Sequence, residues 1–348
     1  MSRRPLAFLA LLAALGAAAL PSSASALEFQ VNSVADSSDG LPGNGACRTL
    51  ITQVCTLRAA LQEANASFGP DSVVLPAGTY NAASTLTSTN DVTITGAGAR
   101  TTIIDGPTSD AVFTSTGGNS TLRGVTLTGG RQGVLTTNTD LELDRVAVRG
   151  NTFNSASSAQ GGGINLSGGH LLLRRSAVID NHLVSSGGAD TTGAGIVAWN
   201  GNVTVIASTI AENTASGANT AFAGGVFVGG TGAVLTLRHA TIAGNTISAI
   251  SGGQNGGGVL LGTGASGTIA DSILTGNIAN AAVQNCGSQK PTSLGGNLDS
   301  GTSCAFGPGN LSSVNPQLAA LGDHGGPTDT APPALGSPAR DAASACPE

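Results

Sequence analysis

The stretch "HATIAGNTISAISGGQNGGGVLLG", residues 239–262, runs an apolar segment up to an asparagine, then small polar residues, three glycines and a second apolar segment. No helix reads this way, because glycines and an asparagine interrupt the apolar runs. An ordinary strand has no use for a triple glycine. The order makes sense as one unit of a repeat, and the repeat is there. "LELDRVAVRGN" ends at Asn151, "LLLRRSAVIDN" at Asn181, "VTVIASTIAEN" at Asn213, "LTLRHATIAGN" at Asn245 and "GTIADSILTGN" at Asn277, in steps of 30, 32, 32 and 32. Between them recur "GGGI" (Ile164), "GAGI" (Ile196), "AGGV" (Val226) and "GGGV" (Val259). A fixed period of this size means stacked units, none of which buries its apolar face alone.

Inside each unit the apolar residues alternate. Leu171 and Leu173 flank Leu172, Val203 and Val205 flank Thr204, and Leu235 and Leu237 flank Thr236. Period two with β-branched residues predicts two or three short strands per lap of a coil, with laps about 4.8 Å apart. The five asparagines then lie one above another, each amide donating to the next carbonyl in a ladder. Each is expected to take the left-handed conformation that a tight bend needs. The polar tract after it reads as a loop pushed out of the coil. Upstream, Ile103, Val125 and Val146 are 22 and 21 apart, so the early laps lack that loop. The stack is read as residues 71–285, eight or nine laps and roughly 40 Å long.

The repeat resembles the right-handed parallel β-helices of the pectin-lyase-like superfamily, and its "GG[AG][IV]" and "xxxN" pairs resemble those of bacterial polymorphic outer-membrane proteins. Both ends carry further resemblances. "FQVNSVADSSDG…CTLRAALQEANA", within residues 29–66, is similar to the CSLREA motif region that opens many exported bacterial β-helix proteins. Residues 55–66 read as a short capping helix with Thr56 as N-cap. Ala59 stands where those proteins carry Glu, which removes the capping box and about 0.5–1 kcal/mol of helix stability. Residues 285–348, with "NPQLAALGDHGGPT" and "GSPARDAA", resemble the choice-of-anchor-Q type of C-terminal region. There the resemblance implies a segment that closes the coil, with His324 and Arg340 as departures from its pattern.

Residues 1–26 have a charged tip (Arg3, Arg4), an apolar run and a small-x-small exit, the pattern of a signal peptide cleaved after Ala26. The remaining layout is an N-terminal cap (27–70), the coil (71–285) and a C-terminal cap (286–348), with no membrane span in the mature chain. The expected location is extracellular, cell-surface or periplasmic. An exported chain permits disulfides. Cys47–Cys55 and Cys286–Cys304 are the near-neighbour pairs, leaving Cys346 odd, although spacing alone does not fix pairing. Glycine is 52 of 348 residues, against a usual ~7%. The formal charge is −6, or −8 once Arg3 and Arg4 are removed, and Lys290 is the only lysine. That balance argues against a nucleic-acid partner, which asks for clustered Lys and Arg.

Chemistry-bearing residues are sparse. Asp180 and Glu212 each precede a ladder asparagine and form the best carboxylate pair for polysaccharide cleavage, with Arg149 and Arg175 near them; the plainer reading is two solvated turn residues. Asp144 and Arg174 match on adjacent laps and read as a surface ion pair. His170, His182 and His239 fall at three different lap positions, so no metal site and no cofactor is expected. Trp199, the one tryptophan, stands at a strand end and is the candidate carbohydrate-stacking residue. These features favour an exported, non-enzymatic β-helix scaffold that adheres to a surface or contacts extracellular or cell-surface polysaccharide. The alternative is a polysaccharide lyase or hydrolase of the superfamily the repeat resembles. A third reading, the secreted passenger of a separate outer-membrane barrel, is weaker.

Overall fold

The computed structural model describes residues 26–187, 189–217, 219–249 and 253–343; the signal-peptide reading of the first 25 residues and Cys346 lie outside them. The chain is an all-β parallel β-helix. Two sheets of ten strands run its length, one from Glu28–Gln30 to Thr292–Ser293 and the other from Gly78–Asn81 to Leu311–Ser312. A third sheet of seven strands runs from Leu86–Ser88 to Val259–Leu261. Pairing within all three is parallel, one lap on the next.

Registers follow the repeat. In the first sheet Ile94, Leu122, Leu143, Leu173, Val205 and Leu237 stack in one column, every one without exposed surface. Burial of such a side chain stabilises by about 1.5–3 kcal/mol, and no lap can do it without its neighbours. One register departs from the spacing. Ile104, not Ile103, pairs with Leu127 and fills the core, while Ile103 faces outward beside Thr126. With a side-chain period of two, a one-residue offset turns a residue from inside to outside.

The ladder is continuous. Nδ2 of Asn151, Asn181, Asn213 and Asn245 donates to Oδ1 of the next asparagine at 2.8–2.9 Å. That oxygen also accepts the backbone N–H of the lower asparagine at 3.0–3.2 Å. Asn277 passes the chain to Asn285, and Asn285 ends it on the Asp299 carboxylate. The left-handed residues, however, are those just before the ladder: Gly150, Asp180, Glu212, Gly244 and Gly276, at φ 56–65°. The asparagines themselves are not left-handed; they are buried, with the amide turned inward to replace backbone partners at the corner.

The tract after each asparagine is not a loop. It forms two further parallel sheets, one from Thr152–Ser155 to Ala282–Val283, closed by an antiparallel pair, and one from Ala159–Gln160 to Gln254–Asn255. They face each other across Phe153, Leu183, Ala215, Ile247 and Ala221, a second small core. Each long lap therefore carries a fin. Glycine returns the chain from it: a Cβ at Gly195 would sit 2.6 Å from the Gly225 carbonyl and 3.0 Å from the Asn213 amide.

At the N-terminal end the helix Leu57–Ala66 starts at Thr56, whose hydroxyl accepts from the Ala59 N–H at 3.1 Å. Ala59 is completely buried, so a glutamate there would lose its solvation. Arg58 fastens the helix with a two-pronged bond to Asp36, at 2.7 and 3.0 Å, and to the Ser84 carbonyl. The strand Glu28–Gln30 already pairs with Asp71–Leu75, so the coil begins inside the expected cap. Disulfides join Cys47 to Cys55 and Cys286 to Cys304, the mark of an oxidising compartment. Residues 292–312 add last rungs to the coil. The following hairpin, bridged at Leu318–Pro333 and Gly322–Thr330, lies along the outer face of the second sheet. Leu321 covers Ala177, Ile179 and Ala211, and Asp323 and Asp329 reach Arg100.

Candidate functional site

The fin changes the surface as well as the core. Its second sheet and the outer face of the third coil sheet form the two sides of a groove of about 470 Å³. In the third sheet the inward residues Ile196, Ala198, Val226 and Val228 fill the coil. Alternation turns Val197, Trp199, Phe227 and Leu260 outward, where they make a separate apolar cluster with Phe222 of the fin. Trp199 and Phe227 lie 4.7 Å apart between centroids, tilted by 53°. The indole Nε1 donates to Gln160 Oε1 at 3.0 Å, which fixes the ring across the groove.

Small neighbours leave room along the coil axis. Ser167 and Gly229 flank Trp199 on the laps below and above. A Cβ at Gly229 would come within 2.7 Å of the Phe227 ring and 3.0 Å of the indole. Polar groups rim the groove: Thr192, Asn255 and Ser288, the last two joined by paired bonds of 2.8 and 2.9 Å. Among the described residues, Asp190 is the one charged side chain lining it. The arrangement suits a ligand with both apolar faces and many hydroxyls, held by ring contact and hydrogen bonds.

Asp180 and Glu212 are elsewhere. Both are exposed corner residues one lap apart, and neither lines the groove. Asp180 pairs with His182 at 3.2 Å, and His182 Nδ1 shares a 2.7 Å hydrogen bond with the Thr214 hydroxyl. The arginines expected beside them have other partners, Arg149 on Asp329 and Arg175 on Asp144. Asp144 and Arg174 are in register but not paired: Arg174 bonds Glu142, and Asp144 is buried beneath Arg175. In-register neighbours share a direction, and a long side chain reaches past its neighbour to the next outward residue. Among the described residues no three His, Cys, Asp or Glu side chains gather as a metal site.

Phe222, Phe227 and Gln160 escaped the sequence reading. Phe227 had a signal, an aromatic at an outward position between two inward valines. Phe222 and Gln160 have none, because the small polar tract that forms the fin carries no strand periodicity. A serine ladder was also missed: Ser176, Ser208 and Ser272 accept from the lap below with Oγ at 3.0–3.1 Å. Its signature is a serine five residues before a ladder asparagine.

Comparisons with protein-family models, with curated proteins and with solved structures find no match to the chain. No helix among the described residues is long and apolar enough to cross a membrane.

Proposed function

We propose that the protein is an exported β-helix scaffold that holds a polysaccharide in the groove beside Trp199, acting by contact and not by cleavage. The observation that carries this reading is a half-buried indole, anchored through its Nε1, standing on an apolar floor with hydroxyl and amide groups at the rim. Sugar rings have apolar C–H faces and polar edges, so they match both surfaces. The resemblance of the two ends to the CSLREA and choice-of-anchor-Q regions of exported β-helix proteins supports a place outside the cytoplasm. The two disulfides support it too. Against the lyase or hydrolase alternative stands the position of Asp180 and Glu212, exposed and away from the groove.

A glycan array probed with the mature chain tests the reading, followed by incubation with the polysaccharides that bind. Loss of binding by Trp199→Ala in a protein that still melts cooperatively is the expected result; some fall in melting temperature accompanies it, because the indole packs on Phe227. New chain ends in the incubated polysaccharide would overturn action by contact alone, and undiminished binding by Trp199→Ala would remove the groove.

A further inference from the structure

The geometry points to a second binding site, for a phosphate or sulfate group, at the corner between the first and second sheets. A cavity of about 450 Å³ opens there, floored by the backbone turn Gly96–Arg100 and by Gly124, and roofed by Gly326 and Pro327 of the C-terminal hairpin. Arg100, Arg123 and Arg145, from three successive laps, line it.

Two of these guanidiniums are poorly compensated. Arg123 reaches Glu142 only at 3.9 Å, and that carboxylate already bonds Arg174. Arg145 makes one 3.2 Å contact with Asp144, whose oxygens take three hydrogen bonds from Arg175 at 2.9–3.1 Å. Each carboxylate is thus shared by two arginines, and the less bonded arginine of each pair faces the cavity. The same network leaves Arg174 Nε buried without an acceptor, so donors outnumber acceptors. Arg100 shows what the face accepts: it is held by the Asp323 and Asp329 carboxylates of the chain's own hairpin. In a chain of net charge −6, this is a local excess of positive charge.

Guanidiniums arriving from three laps approach from different directions. That suits a tetrahedral oxyanion, whose several oxygens accept at once, better than one planar carboxylate. The group is either free phosphate or sulfate or an ester carried on a polymer. This site is separate from the groove and does not depend on it.

Calorimetric titration of the mature chain at low ionic strength, with inorganic phosphate and with dextran sulfate against plain dextran, tests the inference. Saturable binding of phosphate supports a free ion, and binding of dextran sulfate alone supports an ester; plain dextran should give no heat at this site. Arg123→Gln/Arg145→Gln should weaken that binding by about tenfold or more, since each lost charged hydrogen bond contributes over a kcal/mol. Glu142 and Asp144 keep Arg174 and Arg175 in that variant. Should it melt without cooperativity, Arg123→Gln alone should weaken binding in the same direction. Arg238→Gln, on a distant lap, should leave binding unchanged. Failure of both anions to bind, or equal weakening by Arg238→Gln, overturns the site.

Discussion

The early laps and the later ones share one core but differ at a single corner. In the early laps Pro107 and then Gly130 stand where the later laps have an asparagine, and the chain passes directly from the second sheet to the third. From Asn151 onward the chain leaves the coil at that corner, builds the fin and returns over glycine. The ladder and the fin begin on the same lap. A corner that turns outward strips the backbone of partners inside the protein, and the asparagine amide supplies them. The groove exists only because the fin stands beside the third sheet, so the functional surface belongs to the later laps.

Breaking the ladder should hurt most. Asn213→Ala leaves the Asn181 N–H buried without its acceptor and removes the donor to the Val178 carbonyl at 2.9 Å. A loss of about 3–5 kcal/mol is expected in urea melts. A loss below 1 kcal/mol would mean that the corner holds without the amides. Leu183→Ala, in the fin core, should cost about 2–3 kcal/mol if the fin unfolds with the coil. Hydrogen exchange that quickens over the fin strands alone would instead show that the fin is a separate cooperative unit.

Gly195→Ala forces a methyl against the next lap's carbonyl and should destabilise by about 1–3 kcal/mol. Gly307→Ala, with open space around it, should stay within about 0.5 kcal/mol. Equal melting temperatures for the two variants would refute the close-approach role of the glycine run.

The smallest expected effect separates the N-terminal helix from the asparagine ladder by pH. Glu63 lies fully buried beneath the 43–45 turn, accepting from the Gly43 and Gly45 N–H groups at 3.2 and 2.9 Å. Burial, with the Asp39 carboxylate adding to it, raises its pKa above the usual 4.5. A carboxyl whose folded pKa is raised contributes stability that is complete below 4.5 and is lost as pH climbs through the folded value. Amide exchange in Leu57–Ala66, corrected for intrinsic rates, should therefore show firmer protection near pH 4.5 than at neutrality. Asparagine amides do not titrate, so Asn151, Asn181 and Asn213, laps away from the Asp299 carboxylate that ends the ladder, should show no such change. Parallel behaviour of the two regions would dissolve the distinction.

Much of the fold was legible because corresponding residues of successive laps meet their own counterparts. Asn213 contacts Asn245, and Leu173 contacts Val205, so the period itself states the contact. The candidate site was less legible. Trp199 was visible as a lone indole at a strand end, but its partner Gln160 lies 39 residues away, a separation that is no multiple of the lap. Asp180 and Glu212 looked paired because they share a lap position; that position proved to be a left-handed corner facing solvent.

The sequence by itself determined the coil, its lap length, its inward columns and the residues of the ladder, because in-register stacking turns a spacing along the chain into a contact. Only the tertiary structure decided that the polar tract is a fin with its own core, and that the fin and the third sheet enclose an aromatic groove. It also decided that the C-terminal hairpin runs back to Arg100, 229 residues away from Asp329. Those relations join different faces of the coil. They depend on the angles at which each corner leaves and re-enters, and no periodicity records an angle.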